Sequence, residues 1–109
     1  MKAPLTATVL GALLLAVAPM TTFSQSAAVS DLFVQKCALC HGKDGAGQTI
    51  KGKKLKLKDI RSAEVQKLTD AQMTDLMVKG KGDMQSYAKE LSAQQMKDLV
   101  SFMRSIAKK

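Results

Sequence analysis

Residues 37–41 read CALCH, and they hold both cysteines and the single histidine of a chain of 109 residues. What those three side chains do together decides how the chain folds. Two thiols three positions apart lie on one face of a helical turn, and the imidazole follows directly. The chemistry open to the thiols depends on the compartment, and the compartment is written at the start of the chain.

The first residues are MKAPLTATVLGALLLAVAPMTTFSQSAA. Lys2 supplies a short positive segment, residues 9–18 a short apolar run, and Ser24, Ser26, Ala27 and Ala28 a cluster of small side chains. This is the layout of a secretory signal peptide, with an apolar run too short to span a bilayer. Cleavage after Ser26 fits the small-x-small pattern, and cleavage after Ser24 or Ala28 fits almost as well. Residues 1–26 are therefore expected to be removed, with a boundary open by about two residues. The alternative is an uncleaved N-terminal anchor. On the first reading, residues 27–109 form one exported domain without stable membrane insertion.

A domain of that size buries little apolar surface and often needs a disulfide framework, a metal or a cofactor. Two cysteines make no framework. Beyond the leader the only aromatics are Phe33, Tyr87 and Phe102, so something besides side chains is expected in the core. The chain carries 17 Lys+Arg against 9 Asp+Glu, a formal charge of +8, of which Lys2 leaves with the leader. Such a charge suits nucleic acid, an anionic membrane or an acidic protein. Export and the lack of aromatics among the basic residues argue against nucleic acid. The densest basic stretch, IKGKKLKLKDIR, holds Lys51, Lys53, Lys54, Lys56, Lys58 and Arg61, and its ordinary reading is a solvated loop. Both prolines, Pro4 and Pro19, belong to the leader.

Three helices and no strand are predicted. Ser30 is placed to cap a first helix carrying Val29, Leu32, Phe33 and Val34 up to the cysteines. Residues 42–63 read as a long irregular loop punctuated by Gly42, Gly45, Gly47 and Gly52. In TDAQMTDLMVKG, Thr69 and Gln72 form a capping box and Gly80 sits at the C-cap, with Met73, Leu76 and Met77 on the buried face. In LSAQQMKDLVSFMRSIAKK, Ser92 and Gln95 repeat the box, and Met96, Leu99, Val100, Met103 and Ile106 recur at helical spacing. Lys108 and Lys109 would close this helix at the end where its dipole favours cations.

Within an all-α domain the cysteine alternatives narrow. A Cys37–Cys40 disulfide would close a very small loop and stabilise little. A thioredoxin-like centre needs a βαβ context. Zinc needs three or four protein ligands, and adjacent Cys40 and His41 point in different directions. C-x-x-C-H remains as a site of covalent haem attachment, with Cys37 and Cys40 reaching the two vinyl groups and His41 the iron. A haem would also supply the apolar body that the core lacks.

These features together resemble a small bacterial class I cytochrome c. DLFVQKCALCHGKDGAGQ is similar to the opening helix, attachment motif and glycine-rich loop of that family, and VKGKGDMQSYAKELSAQQMKDLVSFMRSI to its methionine loop and closing helix. The resemblance implies three main helices around one covalently attached haem c. It also implies a second axial ligand from a methionine in the loop before the last helix. Met73, Met77, Met96 and Met103 lie on helical packing faces, where methionine ordinarily fills a core. Met84 follows Gly80 and Gly82 in a loop and matches the position of the family's ligand.

Two departures stand out. Gln85 follows Met84 where relatives often carry proline, so a more mobile loop is expected. No proline follows the haem motif in residues 42–59, so the acceptor for the His41 ring nitrogen, which would fix its tautomer, is unnamed. Tyr87 is placed either to reach a haem propionate or, the commoner use, to wall the pocket. Phe33 and Phe102 resemble the aromatics at the crossing of first and last helices. Lys79, Lys81 and Lys89 are placed to steer an acidic partner.

With both axial positions filled, the iron is poor at binding oxygen or peroxide, and methionine favours the ferrous state. The implied protein is a monomeric periplasmic one-electron carrier that docks transiently with acidic-surfaced redox proteins and is not itself an enzyme. Its rivals are a haem-based ligand sensor or weak peroxidase in which Met84 is labile, a subunit of a larger respiratory complex, and a thiol or metal protein without haem.

Overall fold

A computed structural model describes residues 1–18 and 23–109. Pro19 lies outside the described residues. Residues 1–18 are exposed and carry no regular secondary structure. Six helical segments follow: α1 (Phe23–Lys36), α2 (Ala38–His41), α3 (Ile50–Lys54), α4 (Ala63–Gln66), α5 (Asp70–Lys79) and α6 (Ala93–Ser105). Among the described residues no strand forms, and no helix is long and apolar enough to cross a membrane. The fold is all-α, with α1, α5 and α6 as its main helices.

The two capping boxes form as expected. The Thr69 hydroxyl accepts from the Gln72 N–H and the Gln72 side chain accepts from the Thr69 N–H, and Ser92 and Gln95 do the same for α6. Each box satisfies two N–H groups that a helix start otherwise leaves unpaired. At the other end of α5, Gly80 takes φ +70° and its N–H donates to the Leu76 carbonyl at 2.8 Å.

Three expectations are corrected. Ser30 does not cap the first helix, because α1 already begins at Phe23. Residues 23–29 contain no glycine or proline to stop it, and Ser30 becomes an interior residue. The last helix does not reach Lys109. It ends at Ser105, and Lys108 turns back on the middle of the chain: its N–H donates to the Arg61 carbonyl at 2.9 Å and its ammonium meets Asp59 at 3.0 Å. The middle stretch is not wholly irregular either. Thr49 caps the single turn α3, and Ser62 caps α4, which begins at the last residue of the expected loop.

The core is a cluster of Phe33, Ile60, Met73, Met77, Leu91, Met96, Leu99 and Val100. Phe33 and Leu99 are the most completely enclosed. Where α1 meets α6 the Phe33 and Phe102 rings lie 5.0 Å apart at 47°, the tilted arrangement that ring quadrupoles favour. α5 packs on the same α6, and α3 on α2. This leaves the CALCH turn at the end of α1, beside the core.

Candidate functional site

Cys37 sits between α1 and α2, and Cys40 and His41 fill the last two positions of α2. The turn is closed by Cys40 and His41 N–H groups donating to the Cys37 carbonyl at 3.3 and 2.9 Å. Gly42 ends it with φ +79°, a left-handed conformation that glycine adopts without cost. The two thiols are free, and Cys37 packs against the core. Burial, with the neighbouring Cys40 thiol, pushes Cys37 up to about 11, so the sulfur is a protonated thiol at neutral pH. That is the opposite of a redox-active cysteine, whose thiolate is stabilised. Among the described residues no three His, Cys, Asp or Glu side chains gather as a metal site.

The His41 Nδ1 is buried and has no hydrogen-bond partner. Burial also lowers the pKa of the imidazole, which is neutral at neutral pH and able to ligate a metal. Among the described residues, no protein group supplies the acceptor that the sequence left unnamed. Two free thiols on one turn and a neutral imidazole directly after them form a donor set that fits a covalently held haem.

Two residues that sequence reasoning passed over shape this turn. The Thr49 hydroxyl, besides capping α3, donates to the Cys40 carbonyl at 2.7 Å. Gly52 is buried on the same carbonyl: a Cβ there would lie 2.4 Å from both the Cys40 and Gly47 oxygens. Only glycine lets α3 approach α2 so closely. Four glycines at short intervals were visible in the sequence, but nothing marked this one as the contact.

Met84 lies where the loop reading placed it. Its N–H and C=O pair with the C=O and N–H of Lys81 at 3.0 and 2.9 Å, and Gly82 takes φ +58° between them. Gly80 passes so close that a Cβ would lie 2.4 Å from the Met84 carbonyl oxygen. The side chain is half-buried against the core cluster that also receives Cys37. Met73, Met77 and Met96 are buried in that core and Met103 packs on it, as expected of packing methionines.

Tyr87 is half-buried against the core. Its hydroxyl donates to the Lys36 carbonyl at 2.8 Å, at the end of α1 one residue before Cys37. Of the steering lysines, Lys79 pairs with Asp75 at 3.1 Å along α5, while Lys81 and Lys89 are exposed without an ion pair among the described residues.

The comparisons with known proteins bear on the family and the fold. The family model described as cytochrome C oxidase, cbb3-type, subunit III, matches residues 24–103. The chain belongs to this family of c-type cytochromes. Among solved structures, the cytochrome is similar to the KustC0563 c-type cytochrome, with 30% sequence identity and a TM-score of 0.67 over 72% of this chain and 96% of that one. No curated protein matches it. A covalently bound haem c and haem-based electron transfer come with membership of the family, and the all-α fold is that of a small cytochrome c.

Proposed function

We propose that the cytochrome is an exported one-electron carrier holding one haem through thioethers from Cys37 and Cys40, with His41 and Met84 as axial ligands. The observation that carries this reading is the single turn of α2, which brings together two free thiols and a neutral, half-buried imidazole whose Nδ1 is enclosed. The bound haem supplies a reversible ferric–ferrous couple. Cys37 and Cys40 would fix its attachment, His41 would provide a nitrogen donor, and Met84 a thioether donor of the kind that favours the ferrous state. A filled position favours outer-sphere electron transfer over substrate chemistry, so the protein is read as a carrier and not an enzyme. Residues 1–26 act as the signal peptide, and the domain works as a periplasmic monomer.

Its partners are acidic-surfaced redox proteins that dock transiently. Among the described residues beyond residue 18, the two most exposed large apolar side chains are Leu39 (75%) and Ile50 (92%), one on α2 and one on α3. The two helices pack together through the Thr49–Cys40 hydrogen bond. Lys43, Lys51, Lys53 and Lys54 on the same two elements and the turn after them are exposed without an ion pair among the described residues. An apolar centre with a cationic rim suits brief encounter with an acidic surface, the charge acting on the on-rate more than on affinity.

The test is the intact mass of the denatured protein after expression with a cytochrome-maturation system. The expected product lacks about the first 26 residues and retains one haem. A processed chain without haem would overturn the reading. A second reading, a subunit of a respiratory complex, is favoured by the description of the matching family. Co-purification with a membrane oxidase at high salt would select it over the free carrier.

A further inference from the structure

Met84 is followed by Gln85, whose side chain is a bonding partner. Its amide donates to Glu90 Oε1 at 3.3 Å, and the other oxygen of Glu90 accepts from the Lys36 ammonium at 3.3 Å. Lys36 is the last residue of α1 and directly precedes Cys37. Its carbonyl is one of those a helix end leaves unpaired, and Tyr87 supplies the donor at 2.8 Å. Tyr87 is held in turn by its own backbone, whose N–H donates to the Met77 carbonyl at 2.8 Å and whose carbonyl accepts from Glu90 and Leu91. Residues 85–90 therefore reach α1 twice, once through a charged side-chain bridge and once through a phenol, on either side of the same residue.

We propose that Glu90, bridging Gln85 to Lys36, and Tyr87, bonded to the Lys36 carbonyl, form a strap that ties the Met84 loop to the attachment helix and limits how readily the Met84 sulfur leaves the iron. The inference rests on the reading of Met84 as an axial ligand. Glu90 and Tyr87 are positioning residues, since neither is placed at the iron. An external ligand binds only the fraction of molecules in which the sulfur is displaced, so its apparent affinity reports on the strap.

The experiment uses the haem-loaded protein and imidazole as probe, following loss of the methionine-to-ferric-iron absorption band. Tyr87→Phe is expected to bind imidazole about fivefold more tightly, the effect of losing one hydrogen bond. Glu90→Gln is expected to bind it about twofold more tightly, as suits an exposed ion pair. Near 1 M salt the Glu90→Gln effect should vanish, because the Debye length falls to about 3 Å, while the Tyr87→Phe effect persists. Lys89→Gln, on the same loop without an ion pair, should match the wild type. A wild type that shows the band, with Tyr87→Phe and Glu90→Gln both binding imidazole at wild-type affinity, overturns the strap alone, even if either variant melts at lower temperature. A wild type without the band overturns the Met84 assignment and the strap with it.

Discussion

Lys56 is the one residue other than glycine with a left-handed backbone among the described residues, at φ +56°. It follows α3 at the position where helices favour glycine. Its N–H donates to the Lys53 carbonyl and the next N–H, of Leu57, to the Gly52 carbonyl, the paired bonds of a Schellman ending. Lys56→Gly keeps both bonds and removes the clash of Cβ with the backbone. A gain of about 1 kcal/mol is expected, seen as a rise in Tm of about 4–8 °C. Three residues on, Asp59 accepts from the Arg61 guanidinium at 3.0 and 3.1 Å, from the Arg61 N–H at 2.9 Å, and from the Lys108 ammonium at 3.0 Å. These donors, Arg61 first, hold its carboxyl well below the usual carboxylate range. A depressed carboxyl stabilises the fold above its unfolded pKa and loses that contribution as pH falls below about 4. Asp59→Asn is therefore expected to cost about 2 kcal/mol at pH 7. The gap in Tm between wild type and variant should narrow as melts are repeated toward pH 3. A gap that stays constant with pH would show that Asp59 acts by shape alone.

At the scale of elements, α6 is fastened to the turn between α4 and α5 by Arg104. Its guanidinium donates to the Gln66 carbonyl at 2.8 Å, the Leu68 carbonyl at 2.5 Å, the Gln66 side-chain oxygen at 3.2 Å, and Asp70 at 2.9 and 3.0 Å. Gln66 answers by donating to the Met103 carbonyl at 3.1 Å. A lysine has a point charge and no fork, so Arg104→Lys is expected to lose about 1–2 kcal/mol, read as a lower urea midpoint at unchanged slope. The capping boxes of α5 and α6 were legible because their partners are three residues apart and act locally. The fastening by Arg104 was not, since its partners lie more than thirty positions away. The same separation hid the role of Tyr87, whose acceptor is Lys36. The short helices α3 and α4 gave no periodic signal because neither is longer than five residues. The beginning of α1 was misplaced for the opposite reason: Ser30 has the chemistry of a cap, but nothing before it breaks the helix. CALCH and Met84 were legible since each is defined by residue type and spacing, whereas the unpartnered His41 Nδ1 depends on what surrounds the ring.

Over the whole molecule the apolar core is thin. Among the described residues nine hydrophobic ones are buried, one of them Ala46, and Val29, Leu32, Val65, Leu68, Val78 and Met84 only half close over the cluster. A domain of this size with so few enclosed side chains stands near the limit of independent stability. The α1–α6 crossing and the capping boxes are complete within the protein, but where Cys37, Met84 and Tyr87 pack on the core it is closed by half-buried groups. On the reading of CALCH as the attachment site, haem belongs to the core as a packing element as well as a redox centre. The paired variant Cys37→Ser/Cys40→Ser tests this, because serine removes thioether formation while changing the volume little. Expressed through the same export route and freed of residual haem, it is expected to keep part of its helical far-ultraviolet signal and to lose a cooperative thermal transition. Cys40→Ser alone, which can keep one thioether, should melt cooperatively at a temperature below that of the wild type. A haem-free paired variant that unfolds in one sharp step within a few degrees of the wild type would show that the nine buried residues suffice. The haem would then be cargo on a finished fold instead of part of its interior.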